Sequence, residues 1–198
     1  MQPIPPELAG HPDRLKWNAR YSGGYTPSFI PHPLAGEALA LPMPDGPVLE
    51  LACGPSGSAL LAAAAGRSVT AVDASDVGLG LLASEARRRG LDDLFTLVHA
   101  DLGSWRPAAA AFSLVLCTGY WDRPVFGYAT TAVRDGGLLA WEALTEEARR
   151  DRPHLPAEWC VGPGEPASLL PPGFDVLSQR EAGPEPPPRR RLVARRRD

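Results

Sequence analysis

Between Pro47 and Glu142, five short apolar runs of strand composition alternate with segments of helical composition, and this alternation leaves the chain few folds to choose from. Pro47-Val48-Leu49-Glu50-Leu51 runs into the loop Cys53-Gly54-Pro55-Ser56-Gly57, and an alanine- and leucine-rich helix over Ser58–Ala65 then stops at Gly66. Ser68–Asp73 reads as a second strand. Ser75 caps a helix running to Gly90, with Arg87-Arg88-Arg89 at the end where the helix dipole favours cations. Phe95–Val98, Phe112–Leu116 and Leu138–Glu142 follow as strands. Among them lie a loop around Trp105-Arg106-Pro107, a helix from about Pro124 to Val133, and a turn at Asp135-Gly136-Gly137. Parallel strands need crossover connections, so the pattern predicts an α/β fold: a doubly wound, mostly parallel sheet with helices on both faces.

The last third breaks the rhythm. Gly173–Ser178 and Arg191–Ala194 are strand candidates joined by the proline-rich loop Gly183–Pro188, which predicts an antiparallel C-terminal hairpin. Upstream, Pro12–Tyr21 and Pro33–Leu41 read as short helices separated by Ser22-Gly23-Gly24.

At 198 residues one core buries roughly 70% of the surface of the unfolded chain, so stability requires neither a disulfide nor a structural metal. Cys53, Cys117 and Cys160 are odd in number and widely spaced, without a Cys-x-x-Cys pair, and no metal site is expected. No stretch approaches the roughly 20 apolar residues of a membrane span, and Met1–Pro6 lacks the basic start of a signal peptide, so a cytoplasmic protein is expected. A net charge of −3 argues against a nucleic-acid partner. The basic complement is almost wholly arginine, with Lys16 the sole lysine; Arg180 and the Arg189–Arg197 cluster alternate around Leu192 and Val193 as an edge strand with charged flanks would.

In an open α/β sheet, ligands bind beyond the carboxyl ends of the strands, which directs attention to Cys53–Gly57, Asp73, Asp101 and Cys117–Trp121. The glycine loop lets a ligand approach the backbone, and the following helix presents free amides there. A carboxylate at Asp73 suits both hydroxyls of a ribose, and one at Asp101 suits the exocyclic amine of a base. Capping remains the competing reading for both aspartates, and His99, which could serve as a base, reads rather as structural or as part of a cofactor's surroundings. Cys53 and Cys117 read as small buried hydrophobes. Trp17 and Tyr21, spaced i and i+4, also suit a staple between the N-terminal helix and the core. A nicotinamide-binding reading lacks its Gly-x-Gly-x-x-Gly loop.

Glu50-Leu51-Ala52-Cys53-Gly54-Pro55-Ser56-Gly57 resembles the acidic strand end and glycine loop of the class I S-adenosylmethionine-dependent methyltransferases, with Ala52 where glycine is usual and the final glycine one place late. The resemblance implies a Rossmann-like methyltransferase fold and S-adenosylmethionine as cofactor, leaving as S-adenosylhomocysteine. It further implies that Asp73 holds the ribose, that Asp101 and Leu102 contact the adenine, and that Cys53 and Gly54 flank the methionine portion. Glu50, Ala52, Ala74 and Cys117 complete the cofactor site that the resemblance implies.

Three segments are similar to small-molecule methyltransferases of the tellurite-resistance and thiopurine-methyltransferase-like kind: Trp17-Asn18-Ala19-Arg20-Tyr21, Thr118-Gly119-Tyr120-Trp121, and Leu155-Pro156-Ala157-Glu158-Trp159 with Gly162-Pro163-Gly164-Glu165. That likeness implies a helical lid over residues 1–41 on a core from 47 to 198, within one domain. Trp17, Arg20 and Tyr21 would fold over the cofactor, with Arg20 on its carboxylate. Tyr120, Trp121, His154 and Trp159 are the candidates for the acceptor pocket. The acceptor implied is a small molecule, with a thiol or chalcogen favoured over oxygen or nitrogen; no catalytic base or oligomeric state is implied. A cofactor-binding module without turnover is one alternative. A nucleic-acid methyltransferase is another, although Thr118-Gly119-Tyr120-Trp121 replaces the Asn/Asp-Pro-Pro-aromatic motif it would require.

Overall fold

A computed structural model describes residues 4–183 and 187–198. Among the described residues seven strands form one sheet: β1 (Val48–Leu51), β2 (Val69–Asp73), β3 (Phe95–His99), β4 (Phe112–Thr118), β5 (Val133–Leu144), β6 (Phe174–Glu181) and β7 (Arg189–Arg196). Their spatial order is β3-β2-β1-β4-β5-β7-β6. Strands β1 to β5 are parallel, and β7 inserts antiparallel between β5 and β6. This is the doubly wound sheet with an antiparallel C-terminal hairpin that the alternation predicts. The middle of the proline-rich loop, residues 184–186, lies outside the described residues, as does the start of the Met1–Pro6 segment.

The helices are α1 (Pro12–Ser22), α2 (Pro33–Leu39), α3 (Gly57–Ala64), α4 (Asp76–Arg88) and α5 (Arg123–Ala132). α2, α3 and α4 bury Leu34, Leu60 and Leu82 against one sheet face, and α5 buries Phe126 against the other beside Trp121 and Trp141. All four residues of β1 are buried, which explains why its sequence is an apolar run without alternation. Ser56 and Ser75 cap α3 and α4 by accepting from Ala59 and Gly78 amides. Asp122, unassigned in the sequence reading, caps α5 through Val125.

Two local expectations are corrected. Asp135-Gly136-Gly137 is not a turn between helix and strand: α5 leads directly into β5, and the three residues form an irregularity within that strand, where Gly136 has φ +70°. The arginine-rich strand is not an edge. β7 is paired on both sides and β6 is the edge strand, so the arginines serve pairing inside the fold. Arg189 and Arg191 reach Glu142, Arg190 reaches Glu181, and Arg180 makes a two-pronged pair with Glu37.

Candidate active site

The carboxyl ends of β1 to β4 open into a cavity of about 390 Å³, roofed by α1. Its floor is made by Ala52, Asp73 and Ala74, and one side by Asp101, Leu102 and Gly103. The loop after β4 contributes Gly119, Tyr120, Trp121 and Asp122, while Leu144, Leu155 and Trp159 close the far side. From the roof hang His11, Asp13, Lys16 and Trp17. Four of the lining residues are carboxylic acids and four are aromatic tryptophans or tyrosines, with Lys16 the sole lysine or arginine among them.

The glycine loop is built by unusual backbone angles. Ala52 has φ +50° and Gly54 φ +52°, both left-handed, so alanine adopts the conformation for which glycine is the usual residue. Asp73, at the end of β2, ties this loop to the next: its Oδ2 accepts from the Gly54 amide and its Oδ1 from the Ser75 amide, each at 2.7 Å. Burial raises its carboxyl above the usual range, opposed by those two amides. Beneath the loop Glu50 is 2% exposed and receives Ser56 Oγ; it does not line the cavity, and burial pushes its carboxyl up to about 8. Asp101 Oδ1 accepts from the Gly103 amide and stands 3.8 Å from His11 Nε2.

The roof is fastened by polar contacts rather than by burial, since α1 has no fully buried residue. Asn18 donates to Asp76 at 2.8 Å and accepts from Ser75 Oγ at 2.6 Å, and Arg14 donates to the same Asp76 oxygen. Tyr21 stacks on Trp17 and lies against the glycine loop: a Cβ added to Gly54 would sit 2.6 Å from its hydroxyl, and one added to Gly78 would sit 2.9 Å from its ring. Both positions therefore require glycine to admit the ring. Burial drives the Tyr21 phenol above its ordinary value. Arg20 does not line the cavity; its guanidinium lies near the rings of Trp17 and Tyr25.

Across the cavity, Trp141 Nε1 donates to the Tyr120 carbonyl and fixes the loop after β4. Trp121 is 4% exposed and packs on Phe126 and Trp141; its own Nε1 has no partner among the described residues. The segment carrying Leu155 and Trp159 is tethered by the two-pronged Arg123–Glu165 pair and by Arg190 on the Gly162 and Glu165 carbonyls.

Of the residues singled out in the sequence, Trp17, Ala52, Asp73, Ala74, Asp101 and Leu102 line the cavity together with Tyr120, Trp121 and Trp159. Arg20, Tyr21, Glu50, Cys53, Gly54, Cys117 and His154 do not. Cys53 and Cys117 are free thiols that burial holds well above their usual range, which suits inert packing more than nucleophilic chemistry. His99 Nε2 lies 3.0 Å from the Ala74 carbonyl, a structural role in the wall. His154 is exposed. Sequence reasoning missed His11, Asp13, Lys16, Asp122 and Leu144. Asp122 before Arg123-Pro124 carried a legible capping signal; the other four face the cavity because of how α1 and β5 are docked, which no local pattern encodes.

Residues 48–137 match the sequence family described as a methyltransferase domain. No curated protein sequence matches the chain. Among solved structures, a protein studied for the conversion of a disulfide bond into a thioacetal group during echinomycin biosynthesis is 19% identical, with 93% of each chain covered and a TM-score of 0.69. TehB from Haemophilus influenzae is 15% identical over 91% of this chain and 67% of its own, with a TM-score of 0.68. An S-adenosylmethionine-dependent methyltransferase from Mesorhizobium loti is 19% identical over 83% of this chain and 96% of its own, with a TM-score of 0.66. At these identities the likeness is one of fold.

Proposed function

We propose that the chain is an S-adenosylmethionine-dependent methyltransferase acting on a small acceptor. The observation that carries this reading is the cavity at the strand ends, floored by Asp73, flanked by Asp101 and walled by aromatic rings, within a segment that matches a methyltransferase domain. The dimensions and chemistry suit the cofactor. Asp73 and Asp101 would take the ribose hydroxyls and the adenine amine, with Leu102 and Ala74 against the base. The left-handed backbone at Ala52 reaches the cavity floor, close enough to flank the methionine portion, while Arg20, which the resemblance would put on its carboxylate, stands outside the cavity.

Bound there, the cofactor supplies an electrophilic methyl on a sulfonium. What the chain must add is alignment and exclusion of water, which together contribute on the order of 7 kcal/mol or more. α1 roofs the cavity against water, and Trp17, Tyr120 and Trp121 line it with aromatic rings, whose contact with a cation is worth about 0.5–2 kcal/mol in well-desolvated sites. The lid over 1–41, closing on the core from 47 to 198, is part of this reading.

The thiol or chalcogen acceptor that the motif resemblance favours rests on that resemblance, alongside the sulfur chemistry named for one fold neighbour. The charge of the cavity wall argues for a different nucleophile. Titration calorimetry tests the reading itself: S-adenosylmethionine should bind one to one, and Asp73→Ala should weaken it at least tenfold. Absence of binding to the native protein overturns the reading; binding without release of S-adenosylhomocysteine from any acceptor would favour a cofactor-binding module instead.

A further inference from the structure

We propose that the acceptor end of this cavity takes a small amine, in preference to a thiolate, chalcogenide or phenolate; the inference rests on the methyltransferase reading above and deepens it. It stands on the composition and geometry of the wall. Asp13 and Asp122 line the cavity beside the Asp73 and Asp101 given to the cofactor, and the cavity's single lysine, Lys16, is held against two of its rings. Its ammonium lies 5.3 Å from the Trp17 ring centroid and 5.2 Å from that of Trp159, bridging the roof and the far wall. The fold thus already seats one primary alkylammonium between two indoles of this cavity. Ring faces attract cations through their quadrupole, and surrounding carboxylates reinforce the preference.

The Tyr120 phenol beside these carboxylates is raised above its ordinary value first by burial and then by Asp122, Cys117, Asp13 and Asp101. A thiolate or phenolate entering beside it brings another negative charge among carboxylates. An amine, drawn in as its ammonium, does not. It first gives one proton to solvent; its freed nitrogen lone pair then forms the new N–C bond as the C–S bond breaks, the bonding pair remains on sulfur, and positive charge passes from sulfur to nitrogen inside walls that favour it. The product leaves as the methylated ammonium.

The test uses probes of one shape and different charge on the full chain saturated with S-adenosylhomocysteine. Tryptophan fluorescence and calorimetry should report benzylamine binding at least tenfold tighter than benzoate or benzyl mercaptan. Asp13→Asn should weaken benzylamine severalfold while leaving the affinity for S-adenosylhomocysteine within twofold. Equal or tighter binding of benzoate or the mercaptan, or turnover confined to thiols in an acceptor panel, overturns the inference and leaves the methyltransferase reading standing. Failure of S-adenosylhomocysteine to bind overturns that reading, while the charge preference is still read from the protein without it.

Discussion

Ser56 Oγ lies 2.7 Å from one carboxylate oxygen of Glu50 and 2.9 Å from the other, so the hydroxyl that caps α3 also anchors the buried acid beneath the glycine loop. The arrangement favours a protonated Glu50, because burial outweighs the hydroxyl's contribution and raises the carboxyl to about 8. The native state therefore holds a proton that the unfolded chain loses near its ordinary value of 4.5. Stability from this group is full below about pH 4.5 and is lost as pH rises toward 8, with a slope of at most about 1.4 kcal/mol per pH unit. Glu50→Gln should remove that slope, so that the variant gains on the native protein between pH 5 and 8. Urea unfolding at three pH values checks this; a constant difference between the two proteins would refute it.

Glu142 behaves in the opposite sense. Burial alone would raise its carboxyl, but hydrogen bonds from His32 and Arg191 hold it at about 2. His32 is well placed to donate: its Nδ1 accepts the Leu34 amide as the cap of α2, leaving the proton on Nε2, 3.2 Å from Glu142. The stability it contributes is present above about pH 4.5 and lost as pH falls toward 2. Glu142→Gln leaves Arg189 and Arg191 without their charged partner and should cost roughly 2–4 kcal/mol at pH 7. Near pH 2 the two proteins should unfold at similar denaturant concentrations.

Ala52 is held at φ +50°, where an L side chain is strained by roughly 1–2 kcal/mol relative to glycine. Glycine would relieve that strain at an unfolded-state entropy cost of about 0.4–1 kcal/mol. Ala52→Gly should therefore stabilise by about 0.5–1 kcal/mol, read as a higher urea midpoint at unchanged slope. A loss of stability would show that the alanine methyl is needed in the cavity floor.

The polar clasp of α1 predicts local loosening. Asn18→Ala removes the bonds to Asp76 and Ser75, each worth about 1 kcal/mol, from a helix without buried residues. Amide exchange and proteolysis in α1 should accelerate severalfold while the global unfolding free energy falls by less than about 1.5 kcal/mol. Cofactor affinity should fall about tenfold. Uniform loss of protection throughout the sheet would instead make α1 part of the global unit.

The periodic apolar runs were enough to determine the parallel sheet, because the strands carry their own period and α3 and α4 their own serine caps and glycine stops. Asp73, Asp101 and the glycine loop were legible for the same reason: they sit at strand ends, and a strand end is a local event. The strand order around β7 was not legible. Leu192 and Val193 would alternate with arginines in either an edge or an inner strand, and only the pairing of β5 with β7 turns those arginines inward to Glu142. Nor could local pattern reveal that Lys16 stands between Trp17 and Trp159, residues 142 positions apart in the extreme, or that Asp13 and Asp122 share one cavity. Local sequence determined the scaffold and the strand-end floor of the cavity. The opposite walls were decided by tertiary docking of α1 and the segment after β5, since their charge is the sum of side chains brought together from distant elements.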